Sequence, residues 1–119
     1  MGIFIDSSDL IQERYTPLIY AVYNDGKKVM GPSTYMQNSI GSCYRDVRNK
    51  EDGVNFRITY VDQTLLVDVD LSGKGTQYTQ CFKVNRISLL TNHYFGVSSS
   101  TEHDYPGMEV ANLEYLAIL

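Results

Sequence analysis

Two short runs in which apolar and polar residues take turns constrain this chain more than any other feature. In "NFRITYV" (55–61), Phe56, Ile58 and Tyr60 share one face while Arg57, Thr59 and Val61 share the other. In "LLVDVDL" (65–71), Leu65, Val67, Val69 and Leu71 oppose Leu66, Asp68 and Asp70. A period of two is the signature of a strand with one buried face, so residues 54–71 read as a β-hairpin turning through "VDQT". The same reading extends to "GIFI" (2–5), "PLIYAVYN" (17–24), "CYRDVRN" (43–49), "CFKV" (81–84), "HYFGVSSS" (93–100) and "VANLEYLAI" (110–118). Asn24-Asp25-Gly26, Glu51-Asp52-Gly53 and Ser72-Gly73-Lys74-Gly75 carry turn chemistry. Helices have little claim: "RISLLT" (86–91) is too short, and 110–118 fits strand spacing as well as helical spacing. Many short strands punctuated by Gly, Asn and Asp predict an all-β antiparallel sandwich.

Composition narrows the function classes. The 119 residues are one domain's worth, 43% hydrophobic and 20% charged, which is globular rather than disordered. A net charge of −4, with no basic run longer than Lys27-Lys28, argues against nucleic acid or an anionic membrane as partner. No apolar run approaches the length of a membrane span. Two cysteines, Cys43 and Cys81, are too few to imply a disulfide by counting alone, and two buried free thiols are the alternative.

"GIFIDSSD" (2–9), "SCYRDVRN" (42–49), "CFKV" (81–84) and "YFGVSSSTE" (94–102) occur in that order. Together they resemble the C-terminal half of the recognition domain in the L-type, legume-lectin-like family of cargo-receptor lectins of the early secretory pathway. The resemblance spans residues 1–119 and implies a concanavalin A-like jelly roll, partial or reduced. It implies a Cys43–Cys81 bridge between neighbouring strands, worth roughly 4 kcal/mol on the chain-entropy model, and an oxidising lumen such as the ER or Golgi. The "RDVRN" stretch then reads as a strand with its charges on a polar face. The family's earlier strands have no counterpart here, so an apolar face and edge are expected to pair with that N-terminal half or with another chain.

The resemblance also implies a calcium-assisted sugar site, which this sequence reproduces incompletely. Asp6 stands at the family's first ligand position, with Asp9 and Glu13 as candidate replacements for others that are missing. The family's D-H-x-x-D stretch aligns with "MGPSTYMQ" (30–37), which has neither histidine nor carboxylate. Calcium needs six to eight oxygens, so its binding is expected to be weak or absent, and no other cofactor is indicated. In the family's sugar-contacting loop stand Glu102, His103 and Asp104, followed by Tyr105, in a longer and bulkier segment than the family's small residues.

Other chemistry has little support. Asp68 and Asp70 share a face, as a carboxylate pair would, but on a regular hairpin strand they are expected to face solvent. His93 and His103 lack Cys or His at zinc-ligand spacing, and no G-x-S-x-G is present. The expectation is a glycoprotein-recognising, mannose-type lectin domain without catalysis and with an altered site. The alternative is a sandwich that lost the sugar and kept a structural or protein-binding role.

Overall fold

The computed structural model describes residues 1–6, 16–28 and 31–98. The chain divides into two compact units, residues 1–89 and 90–119. The first contains two antiparallel three-stranded sheets. Sheet 1 runs β1 (Gly2–Asp6), β2 (Leu18–Val22), β3 (Ser39–Tyr44). Sheet 2 runs β4 (Asn55–Val61), β5 (Thr64–Asp70), β6 (Thr79–Val84). One helical turn, α1 (Pro32–Tyr35), continues into a 3₁₀ turn (Met36–Asn38) just before β3. In the second unit, residues 90–98 form no regular element, so the strand expected at 93–100 is absent from its described part. The strand expected at 110–118 lies outside the described residues.

The hairpin forms as its alternation predicts, with Tyr60 opposite Leu65, Ile58 opposite Val67 and Phe56 opposite Val69. Its turn, Asp62-Gln63, has both residues at positive φ (50° and 61°), as a two-residue primed turn requires. Neither is glycine, and the Gln63 carbonyl is held by the Ile87 N–H at 2.9 Å. Between the sheets, Ile19 and Ala21 of β2 meet Leu65, Val67 and Val69 of β5, with Phe82 and Ile87 closing the cluster. The opposite face of β2 is also covered: Leu18, Tyr20 and Val22 are buried against Phe4, Tyr35 and Tyr44. That is why "LIYAV" reads as a continuous apolar run rather than an alternating one.

β4 is the outer strand of sheet 2, and its apolar face is only partly covered. On that face Ile58 is 46% exposed and Tyr60 37%, and on the other Val61 is 60% exposed. Tyr60 nevertheless fixes the chain after β6, because its hydroxyl donates to Ile87 O (2.7 Å) and accepts from Leu89 N–H (3.1 Å).

The cysteines bridge β3 and β6, with Cα atoms 5.4 Å apart. These strands belong to different sheets, so the bond staples sheet to sheet rather than joining ladder neighbours. A register slip between Val67 and Asp68 leaves Cys81 without a partner on β5, and such bulges re-aim side chains. Three contacts follow one another along the seam. Gly41 lies against Phe82 and Val84, Cys43 bonds Cys81, and the Arg45 guanidinium donates to Gln80 O at 2.9 Å. The expected strand at 43–49 requires correction, since β3 starts at Ser39 and ends at Tyr44. Its partner β2 is preceded by Pro17, whose carbonyl accepts from Arg45 N–H (3.2 Å) but which has no N–H to return. Beyond that point the charged stretch is irregular, with Asn49 at φ 55° and an Asp46–Lys50 ion pair at 3.9 Å.

A Cβ on Gly41 would stand 2.7 Å from Phe82 Cδ2 and 2.8 Å from Val84 Cγ2. Gly41→Ala is therefore expected to destabilise the fold by about 1–3 kcal/mol through overpacking, read by urea denaturation. Replacing both cysteines by serine should cost roughly 4 kcal/mol for the 38-residue loop, and reduction of the wild type should approach the same loss.

Candidate functional site

The site grows from the face of sheet 1 that points away from the inter-sheet core. Phe4 and Tyr20 are direct cross-strand partners, so their rings fall side by side, with centroids 5.3 Å apart and planes at 19°. The helical turn brings a third ring: Tyr35 stacks on Phe4 at 4.9 Å and 26°. That turn is locally self-sufficient. Thr34 N–H and its hydroxyl both donate to Gly31 O, the Thr34 hydroxyl accepts from Gly31 N–H, and the Asn38 amide donates to Thr34 O. The sequence gives little helical signal here, and helices were not expected. Side chain-to-backbone bonds of this kind stabilise a single turn without any apolar period.

Asp6 ends β1 opposite Leu18, at the edge of the aromatic group. Burial pushes the Tyr20 hydroxyl above its ordinary pKa, and the negative charges of Asp6 and of ionised Tyr35 add to the effect. Calcium would need a shell of oxygens, mostly carboxylates and carbonyls. Among the described residues no group of three or more His, Cys, Asp or Glu is placed to hold a metal ion. The stretch that aligns with the family's ligand-bearing segment delivers the Tyr35 ring instead. The described residues do not fit a calcium centre. Asp9 and Glu13 lie outside them, as do Glu102, His103, Asp104 and Tyr105.

Two hollows open near the other end of β1. One, of about 220 Å³, is lined by Met1, Gly2, Phe4, Val22, Asn24 and Tyr35. The second, of about 270 Å³, is lined by Tyr23, Asn24, Asp25, Lys28, Asn38 and Ile40. Asn24 lines both. Its amide donates to Lys28 O (2.7 Å) and its oxygen accepts from Gly26 N–H (2.9 Å), which fixes the side chain in the Asn24–Gly26 turn. Phe4, Tyr20 and Tyr35 were missed as site residues. The signal was faint: Phe4 and Tyr20 alternate within their strands, but only strand pairing shows that they meet.

The two hairpin aspartates do not face solvent, contrary to expectation, being 5% (Asp68) and 0% (Asp70) exposed. Asp68 accepts from Arg57 Nε (3.2 Å) and Nη2 (3.0 Å), and the Arg57 guanidinium also lies 4.1 Å from the centre of the Tyr78 ring. Asp70 organises the following loop by accepting from Ser72 N–H and hydroxyl, Gly75 N–H and Thr76 N–H at 2.6–3.1 Å. Alternation placed both carboxylates on the outer face correctly but could not show that Arg57 and the loop cover it. Both oxygens of Asp70 and one of Asp68 are engaged by the fold, which gives the pair a structural role.

The structure defines a β-sandwich of two antiparallel sheets stapled by a disulfide, with an aromatic-lined face and, among the described residues, no group of three or more His, Cys, Asp or Glu placed to hold a metal ion. Residues 1–118 match the Legume-like lectin family, and the chain belongs to that family. It is 33% identical over 104 residues to Protein ERGIC-53 of Rattus norvegicus and 31% identical over 104 residues to that of Homo sapiens. To Protein ERGIC-53-like of Rattus norvegicus it is 35% identical over 107 residues. Each match covers 85% of this chain and 20% of the relative, so the chain spans about one fifth of the length of these proteins. The kinship and the disulfide place it in the lumen of the early secretory pathway. No helix among the described residues is long and apolar enough to cross a membrane.

Asp70 gives the pH dependence. The Ser72 hydroxyl contributes most, burial opposes it, and the N–H groups of Ser72, Gly75 and Gln77 help bring the carboxyl from 3.8 down to about 2. A depressed folded-state pKa adds stability that is complete above the unfolded value and is lost as pH falls through the folded one. Acid unfolding should therefore steepen between about pH 4 and pH 2. Asp70→Asn should lower the urea midpoint at neutral pH and flatten that acid limb.

Proposed function

We propose that this chain supplies a glycan-reading surface to a cargo receptor of the secretory pathway, recognising mannose-type glycans on glycoproteins without catalysing any reaction. One observation carries the reading: in a legume-like lectin sheet, stacked aromatic rings border a hollow that also holds a fixed amide. Aromatic faces beside directional hydrogen-bonding groups suit a ligand that presents C–H groups on one side and hydroxyls around its rim. The similarity to ERGIC-53 and ERGIC-53-like proteins supports the same reading. Residues 1–119 act in it as one lectin-like domain. Glu102, His103 and Asp104 are retained as sugar-contacting positions on the strength of the motif before them, and Asp6 as the remnant of the family's metal position.

A second reading is favoured by β4, an edge strand on which Ile58, Tyr60 and Val61 are partly exposed. Such an edge invites a further strand from the same polypeptide or from another chain, and a sandwich used only for protein contact would keep it while losing the sugar. A glycan array separates the two. The lectin reading expects high-mannose glycans to be retained above complex and sialylated ones, and to remain uncleaved. Uniform background across the array, with calcium and with chelator, would refute it.

A further inference from the structure

We infer that β4 is a homotypic edge: two copies of this chain pair their β4 strands antiparallel about a two-fold axis at Ile58, joining the two copies of sheet 2 into one. The inference rests on the protein-contact reading of β4 and deepens it by naming the partner and the register. Among the described residues β4 has β5 on one side and no strand on the other.

The hairpin decides which backbone groups face that open side. Opposed residues of an antiparallel pair alternate between exchanging both hydrogen bonds and exchanging none. A two-residue turn is closed by an exchanging pair, here Val61 with Thr64, and the register then runs to Asp70 without a shift. Thr59 with Leu66 and Arg57 with Asp68 therefore exchange as well. The N–H and C=O groups of Phe56, Ile58 and Tyr60 are left pointing away from β5.

A second β4 satisfies all of these groups at one register. With the axis at Ile58, that residue meets its own counterpart, and Phe56 of each copy meets Tyr60 of the other. Three exchanging pairs result, and each brings apolar or aromatic side chains together on the face where Ile58 and Tyr60 are only partly covered. On the other face Arg57 meets Thr59, so no like charges stand opposite, and the guanidinium already has Asp68 at 3.0 Å. Moving the axis to Thr59 leaves two exchanging pairs. Moving it to Arg57 also leaves two and sets arginine against arginine.

The usual devices that keep an edge unpaired are missing from β4. It has no proline, no lysine and no bulge, and its one charge belongs to the Arg57–Asp68 pair. Seven residues from each copy make a contact below the ~1,200 Å² of a standard interface, so the dimer is reversible, with a dissociation constant on the order of micromolar.

The test is sedimentation equilibrium and oxidative cross-linking of the whole chain. The wild type should self-associate with concentration, and Ile58→Lys, which sets ammonium against ammonium at the axis, should weaken association at least about tenfold. Ile58→Cys should give a disulfide-linked dimer, because an exchanging pair holds its Cα atoms about 5.5 Å apart, inside the roughly 4.4–6.8 Å of a disulfide. Val61→Cys should not, because the two copies of that position stand about 20 Å apart at strand rise. Ile58 and Val61 are both partly exposed, so the variants leave the core intact. A monomeric wild type whose Phe56, Ile58 and Tyr60 amides resist hydrogen exchange overturns the inference in favour of a strand from the same polypeptide. A monomer in which they exchange freely overturns it and leaves the edge to a different protein. Dimers that tolerate Ile58→Lys, or that cross-link as readily through Val61→Cys, refute the register. None of these outcomes decides the glycan array, which tests the underlying reading separately.

Discussion

Everything described for residues 1–89 depends on the seam between β3 and β6. The two sheets are separate hydrogen-bonded units, and each has only three strands. A three-stranded sheet is near the minimum that holds together, and then only against an apolar face. The seam supplies that face by fixing β2 opposite β5. Gly41 admits Phe82 and Val84, the disulfide fixes the separation two residues further on, and Arg45 ties off the end on Gln80 O. A bulge in β6 makes this geometry available, since Cys81 sits outside the register that β5 imposes on its neighbours. The bond is therefore a condition of the sandwich rather than an addition to it.

The consequences reach the far side of sheet 1. With β2 held from within by Ile19 and Ala21, its outer residues Leu18, Tyr20 and Val22 become a second floor. β1 lays Phe4 on that floor and the 31–38 turn sets Tyr35 above it. The family's motif, as the resemblance has it, carries carboxylates and a histidine in the stretch that aligns with 30–37. Here aromatic area takes their place. The change leaves Asp6 at one end of β1 and the hollows at the other.

The hairpin was fully legible in the sequence, because a period of two specifies both strand and facing, and Leu65, Val67 and Val69 are buried as it predicts. Six further strands were expected outside it: β1, β2 and β6 are present, 43–49 is a strand only at its start, 93–98 is irregular, and 110–118 lies outside the described residues. The charged stretch after Cys43 misled because its alternation is genuine, while the partner needed to extend β3 ends at Pro17. The buried aspartates misled for the opposite reason. Their facing was right, but cover comes from Arg57 and from a loop that folds back onto Asp70, both tertiary facts. Bonds between Thr34, Gly31 and Asn38 set the helical turn, and such local bonds leave no periodic trace. The aromatic group was illegible because its members lie in three segments, and only register unites them.

The central claim is the proposal that this lectin-family sheet reads glycans through its aromatic face. Chemical-shift mapping by NMR tests it most directly, using isotope-labelled chain titrated with linear mannotriose in calcium and again in chelator. The proposal predicts saturable shifts that include Phe4, Asn24 and Tyr35. Saturating mannotriose that leaves those residues still in both buffers would contradict it.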